Sequence, residues 1–442
     1  MAVSVGFISL GCPKNTVDSE RMLALLGQAG LVLSADPDAA DVVIVNTCGF
    51  IESARQEALE TLSAAVEQKR RGQVGKVIAA GCLAQRMGSA MHEAVDGIDA
   101  IVGLGQRDQI AEIVQQVIQQ QGVPMYLEAA QAPIHDDRTR MRITPTHWSY
   151  LRVSEGCNRN CTFCTIPSIR GNFISKSMDV VVSEARELVE NGARELILIA
   201  QDTIYYGRDI GLKNGLVQLL QRLEKIDGLD WIRVMYLYPA SVDDAFIECM
   251  ARSDKVVPYV DMPVQHINNA ILRAMRRSDT RERTMKVIEK FRAAIPEITL
   301  RTTVMVGFPG ETEEAFDELL AFMDWAQFDM LGGFTYQRET GTPAFDLPDQ
   351  VPEELKRRRY EQVMLTQQRI AIEKNRDRIG RTMEVIVDVL GDASYGTGRS
   401  AGQAPEIDSV CLIENLTAQT GDIVKARITG IDDYDLVVQQ LS

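Results

Sequence analysis

Three cysteines within eight residues, Cys157-Asn-Arg-Asn-Cys161-Thr-Phe-Cys164, constrain this chain more than any other stretch. They stand in a C-x3-C-x2-C spacing directly after an apolar run, Trp148-Ser-Tyr-Leu-Arg-Val153. Soft thiolates select iron–sulfur clusters, zinc or copper over hard cations. A structural zinc site takes four protein ligands and usually supplies the last two as a second short pair. No such pair follows, and the nearest histidine, His147, precedes the apolar run. A zinc knuckle or a redox pair remains as the alternative. Three thiolates on a 4Fe-4S cube leave one iron without a protein ligand, open to a substrate or cofactor.

The spacing, with the aromatic Phe163 before the last cysteine, resembles the signature of radical S-adenosylmethionine (SAM) enzymes. The resemblance implies a 4Fe-4S cluster on Cys157, Cys161 and Cys164. It also implies that the amino and carboxylate groups of SAM chelate the open iron.

A chain of 442 residues allows about three domains at roughly 150 residues each. Its net charge of −15 argues against a protein built to coat nucleic acid and leaves basic partners open. The first ten residues lack a positive n-region and read as a strand, and no apolar stretch is long enough to span a bilayer. Eight cysteines in so long a chain make no disulfide scaffold, so a reducing, cytoplasmic setting is expected.

Residues 3 to about 118 alternate short apolar runs (3–10, 41–46, 76–80 and 100–102) with helix-like segments near 17–29, 52–70 and 107–120. That is the pattern of βαβ units on an open parallel sheet. Cys12 follows the first run, Cys48 the second and Cys82 the third. In such a sheet the carboxyl ends of the strands share one edge, where ligands bind, so three distant cysteines can converge. The alternative is three unrelated buried thiols. The sharper expectation is a second 4Fe-4S cluster on Cys12, Cys48 and Cys82, again with one iron free. Three spread cysteines upstream of a radical SAM motif resemble the methylthiotransferase family, whose members insert a methylthio group into an unactivated C–H bond. The likeness covers nearly the whole chain.

From about 140 to 373 the alternation resumes with longer helices. Strand candidates are 149–154, 195–200, 231–237, 256–262, 299–306 and 330–336. Six βα units are too few for a complete barrel. They match the partial (βα)6 barrel that the resemblance implies, with chemistry at the carboxyl ends of its strands. Gln201 and Asp202 follow the second strand, and Gly307-Phe-Pro-Gly-Glu311 follows the fifth and opens a helix. These are candidate SAM contacts, against the plain alternative of tight turns whose acids suit a helix dipole. His266, ending the fourth strand, reads as structural, and Cys249 and Cys411 as packed thiols. Residues 352–380 read as a long helix whose basic run, Lys356-Arg-Arg-Arg359, suits a solvated face better than an RNA contact.

After Arg381 the period changes to two. Five short antiparallel strands in residues 376–442 suggest an OB-like barrel, similar to the TRAM domain that ends methylthiotransferases. The domains expected are thus 1–118, 140–373 and 376–442. Residues 381–442 carry four basic and ten acidic residues, the wrong sign for neutralising phosphates.

Two branches of the family compete, one modifying an adenosine of transfer RNA and one the β-carbon of an aspartate in ribosomal protein S-twelve. Gly11-Cys-Pro-Lys-Asn15, Ile166-Pro-Ser-Ile-Arg-Gly171 and Ala404-Pro-Glu-Ile-Asp408 resemble the ribosomal-protein branch. The transfer RNA enzymes typically show Gly-Cys-Gln-Met-Asn at the first of these. An acidic terminal barrel agrees, since ribosomal proteins are basic. An aspartate β-C–H is far too weak an acid for a side-chain base, whereas homolysis by a carbon radical avoids that barrier. The resemblance implies one electron passed to SAM from the first cluster, sulfur carried by the second, and a methyl group from a second SAM. A reducing donor such as flavodoxin or ferredoxin is implied as well, and no acid–base residue is assigned. A two-cluster electron carrier without turnover is the alternative from another class.

Overall fold

The computed structural model describes residues 3–119, 124–392 and 394–441. The amino-terminal strands are β1 (Ser4–Ser9), β2 (Val32–Ser34), β3 (Val42–Thr47), β4 (Lys76–Gly81), β5 (Ala100–Val102) and β6 (Met125–Tyr126). They form one sheet in the order β2-β1-β3-β4-β5-β6, every neighbouring pair parallel. β3 is buried along its whole length, as a strand covered by helices on both faces must be. The edge strands β2 and β6 were not expected. They are three and two residues long, too short to show a hydrophobic period. Helix α1 (Pro13–Gln28) starts earlier than its apolar pattern, because Pro13 suits the first helical position. Helix α2 (Glu52–Arg70) matches the expected span, and a short α3 (Cys82–Met87) begins on the third cysteine. The third expected helix, 107–120, is observed as Ile110–Gln119; residue 120 lies outside the described residues.

The central unit opens with β7 (Trp148–Arg152), followed by a short antiparallel pair, β8 (Ser154–Glu155) with β9 (Ile174–Ser175). Then come β10 (Glu195–Ile199), β11 (Trp231–Val234), β12 (Val256–Asp261), β13 (Thr299–Val306) and β14 (Met330–Thr335). The order β7-β10-β11-β12-β13-β14 is wholly parallel and open, the expected six-stranded partial barrel. Among the described residues no helix is long and apolar enough to cross a membrane.

A helix over Glu353–Arg378 leaves this barrel. Its basic run is a solvated face only in part. Lys356 and Arg359 are buried, and Arg359 clamps Glu311 at 2.7 Å, while only Arg357 and Arg358 are exposed. The period misled because the buried stripe of this helix is itself partly polar, including Gln367 and Asn375.

The terminal strands are β15 (Thr382–Leu390), β16 (Gly396–Ser400), β17 (Cys411–Glu414), β18 (Ile423–Asp432) and β19 (Asp435–Gln440). They close a barrel in the order β15-β16-β17-β19-β18, antiparallel except for the parallel β17–β19 pair that completes the closure. Its acidity is not all outward. Asp388 and Asp408 pair with Arg399 and Arg301, and Glu406 accepts the Tyr150 hydroxyl at 2.6 Å. Part of the acidic count therefore serves docking. Ala404 and Ile386 of this barrel join Tyr150, Trp231 and Tyr259 in one cluster that fills the lumen of the central barrel.

Candidate metal and cofactor centre

The three amino-terminal cysteines follow β1, β3 and β4, which are consecutive in the sheet. Strand neighbours lie about 4.8 Å apart, so each cysteine loop stands one strand spacing from the next. Cys12 caps α1, where the helix dipole favours a thiolate or an anionic cluster. Gly11 and Gly81 hold the turns at φ 99° and 95°, open to glycine and strained for any other residue. A Cβ on Gly11 would lie 3.2 Å from Cys48 Sγ, and one on Gly81 only 2.3 Å from Asn46 Oδ1. The cradle thus admits no extra atom.

Asn15, one turn into α1, donates to the carbonyls of Leu10 and Thr47 at 3.0 and 2.9 Å and so ties the ends of β1 and β3 together. Its Oδ1 accepts from Arg170 at 2.9 Å, and the same Arg170 nitrogen lies 3.3 Å from Cys82 Sγ. Burial pushes the Cys48 thiol up and the Cys82 thiol up to about 12. Metal binding would therefore have to displace protons.

The second trio lies on the loop after β8. Cys157 accepts from the Arg159 amide at 3.4 Å, and the Cys164 amide donates to the Cys161 carbonyl at 3.1 Å. Burial raises all three thiols, Cys157 to about 11 and Cys164 to about 12. Among the described residues no three His, Cys, Asp or Glu side chains close on a point as single-ion ligands do. A cube offers each thiolate its own iron, so its ligands surround a body instead of a point.

Gln201 and Asp202 follow β10 and reach this loop. Gln201 Nε2 donates to Glu155 at 2.8 Å, two residues before Cys157, and Asp202 pairs with Arg159 at 2.8 Å. Gln201 Oε1, Asp202 Oδ1 and Thr165 Oγ1 are buried without partners. An orphaned buried acceptor is costly unless a ligand supplies the donor. Three of them beside the cysteine loop fit the ammonium and ribose hydroxyls of SAM. Phe163 packs edge-on to Phe308 at 6.5 Å, pinning the loop to the turn after β13.

The Gly307–Glu311 turn does not open the helix directly. The helix is Glu313–Ala326, capped by Thr312, and the Glu311 carboxylate folds back to accept from the Gly307 amide at 2.9 Å. With Arg359 on its other oxygen, Glu311 braces the turn. His266 accepts from the Asn268 amide at 3.0 Å through Nδ1, and its Nε2 stands 3.4 Å from Glu311. Cys249 packs against the core and Cys411 sits buried in β17, as packed thiols do.

Spacing missed the residues that join the two cysteine loops. Arg170 donates to both Glu155 oxygens at 3.0 and 2.9 Å and to Asp18 at 3.1 Å, besides Asn15 and Cys82. Arg152 meets Asp18, Glu155 and Asp137, and Arg107 pairs with Asp18 as well. Burial works to raise the Asp18 carboxyl, but the three guanidiniums hold it at about 2. This buried network runs from α1 through Arg170 to the cysteine loop, so the two trios share one wall. The only signal in the sequence was the pair of motifs around Asn15 and Arg170.

A cavity of about 690 Å3 lies elsewhere, between the amino ends of β13 and β14, the exit helix and the terminal barrel. None of the six cysteines lines it, and it opens at the amino ends of the strands, opposite the edge that carries the cysteine loops.

Residues 151–323 match the radical SAM superfamily, residues 4–103 the uncharacterized protein family UPF0004, and residues 379–440 the TRAM domain. The chain is 43% identical to the ribosomal protein uS12 methylthiotransferase RimO of Desulforamulus reducens over 98% of each chain. It is 41% identical to that of Clostridioides difficile over 98% of each. The RimO of Geobacter sulfurreducens is 42% identical, covering 99% of this chain and 98% of its own. Among solved structures, the radical SAM methyltransferase TsrM from Kitasatospora setae, with cobalamin and a 4Fe-4S cluster bound, superposes with a TM-score of 0.54. At 15% identity over 78% of this chain and 77% of that one, it is a likeness of fold. With an open six-stranded barrel, a closed terminal barrel and relatives matched from end to end, the chain belongs to the RimO family of radical SAM methylthiotransferases.

Proposed function

We propose that this enzyme replaces a hydrogen on the β-carbon of an aspartate in ribosomal protein uS12 by a methylthio group. The observation that carries the reading is Arg170, which touches Cys82 of one trio and Glu155, the residue leading into the other. A site that both abstracts hydrogen and delivers sulfur needs its two cysteine centres side by side, and Arg170 spans the distance between them.

In this reading Cys157, Cys161 and Cys164 hold a 4Fe-4S cluster, and Cys12, Cys48 and Cys82 hold a second. When bound, these groups and SAM supply one-electron chemistry, sulfur and a methyl group. The chain's own residues do the rest. Gln201 and Asp202 offer their orphaned acceptors to SAM, Gly307 and Glu311 shape the turn that faces Phe163, and the buried network keeps water out. No residue is assigned as an acid or base. The low-potential electron donor is of the flavodoxin or ferredoxin kind, the cytoplasm is the setting, and three working units (1–118 with β6 added, 140–373 and 376–442) cooperate. Transfer RNA is disfavoured, because the outward charge left on the terminal barrel after Asp388, Asp408 and Arg399 are paired inward is still mainly acidic.

The test is direct. The reconstituted, reduced chain is incubated with SAM and either purified uS12 or bulk transfer RNA, and both are read by mass spectrometry. A methylthio gain on a uS12 aspartate supports the proposal. A gain on transfer RNA alone overturns the substrate, and no gain on either, with both clusters present, overturns the activity.

A further inference from the structure

Lys14 is the second residue of α1, in the motif Gly11-Cys-Pro-Lys-Asn15, and it is only 6% exposed. Its ammonium lies 3.2 Å above the centre of the Tyr236 ring. Among the described residues it has no ion-pair partner. The carboxylates whose charge reaches it, Glu155 and Asp261, are already engaged: Glu155 by Arg170 and Arg152, and Asp261 by Arg301 and the Tyr236 amide. The other buried charges at this junction are paired, whereas this ammonium has an aromatic face and, two residues back, the Cys12 sulfur, and so lacks a carboxylate of its own.

Its place is equally specific. Lys14 projects from the first turn of α1, two residues after Cys12, on to Tyr236 just beyond the carboxyl end of β11, so it stands where the amino-terminal sheet meets the mouth of the central barrel. Tyr236 takes a left-handed backbone at φ 60°, which a bulky residue adopts only when its surroundings hold it there, and strain of that kind gathers at functional sites. The ring beneath the ammonium leaves its remaining N–H donors to an incoming acceptor.

We propose that Lys14 receives the side-chain carboxylate of the substrate aspartate and so selects an acidic residue as the target. This rests on the function proposed above and adds its specificity. In an aspartate the carboxylate is bonded to the β-carbon that is to react. One charge-assisted contact therefore anchors the group directly bonded to the reacting carbon. A compact, flexible ammonium suits this task because it binds without imposing the planar fork of arginine. Lys14 is thus a specificity-determining residue.

The experiment uses the full reconstituted chain and two forms of purified uS12, the native protein and one with the target Asp→Asn. Lys14→Met keeps the volume and removes the charge; Lys14→Arg restores charge with altered geometry, and Lys14→Gln serves if the Met variant misfolds. Iron content and the electron paramagnetic resonance signals report whether both clusters are intact. Affinity, measured without SAM, should favour the native protein over its Asn form in wild type by roughly 10-fold or more, as one hydrogen bond to a charged group implies. In Lys14→Met the ratio should fall to about one by loss of affinity for the native protein alone, with partial recovery in Lys14→Arg. A variant that keeps the wild-type ratio overturns the proposal, as does loss of the amino-terminal cluster, which would make Lys14 a cluster partner. Should wild type transfer no methylthio group to uS12, the substrate reading itself fails, an outcome separate from an unchanged ratio.

Discussion

Arg170 concentrates the physics of the site in one side chain. It is 1% exposed and contacts Asn15, Asp18, Cys82 and Glu155, on elements up to 155 residues apart in sequence. Replacing it by Met leaves Glu155 and Asp18 short of a partner in a dry interior, a change that costs about 3–5 kcal/mol. We expect Arg170→Met to unfold at lower denaturant by about that much and to bind less iron after reconstitution, read by denaturation curves and iron assay. Arg170→Lys should recover little, because an ammonium cannot span four acceptors as a guanidinium fork does. The cysteines themselves were legible in the sequence, since the carboxyl-end rule places a residue just beyond each strand on one edge. Arg170 was not. Nothing in an apolar run ending in arginine says that its partner lies 88 residues upstream.

At the scale of elements, hydrophobic period found the strands and helices that bury apolar faces, and failed where a buried face is polar. The exit helix Glu353–Arg378 is the clear case. Its inward stripe holds Lys356, Arg359, Val363, Gln367 and Ile370, so no apolar pattern marked which side faces the barrel. The adjacent arginines separate the two environments. Arg359 is buried on Glu311, whose other oxygen fixes Gly307, whereas Arg358 meets Glu313 with both side chains about half exposed. Arg359→Ala should therefore destabilise by about 3–5 kcal/mol, leaving a buried carboxylate uncompensated. Arg358→Ala should change stability by no more than about 1 kcal/mol. Equal losses in urea titrations would show that the turn after β13 does not depend on this pair.

At the scale of the whole molecule the three units share a core. Val17 of α1 and Ala404 of the terminal barrel enter the lumen of the central barrel alongside Tyr150, Trp231 and Tyr259. Composition led to the expectation of an acidic terminal barrel, but a count of charges cannot tell which of them turn inward. Arg399 is the joint. It binds Glu195 of the central unit at 2.6 Å and Asp388 of its own barrel at 2.8 Å. Burial works to raise both carboxyls. For Glu195 the guanidiniums of Arg399 and Arg233 outweigh it, and for Asp388 the His147 hydrogen bond and Arg399 do, so both sit below their ordinary values of 4.5 and 3.8. A carboxyl depressed in the folded state contributes stability in full above its ordinary value and loses it as pH falls through the folded one. Docking of the terminal barrel should therefore be flat from neutral pH down to about 5 and weaken below about 4. Arg399→Met should bring that loosened state to neutral pH, because it removes the shared partner of both carboxylates. Near-ultraviolet circular dichroism of the lumen aromatics and protease cleavage near residue 381 will show it. An Arg399→Met chain with the wild-type spectrum and cleavage rate at pH 7 would mean that apolar contacts in the lumen hold the barrel without this joint.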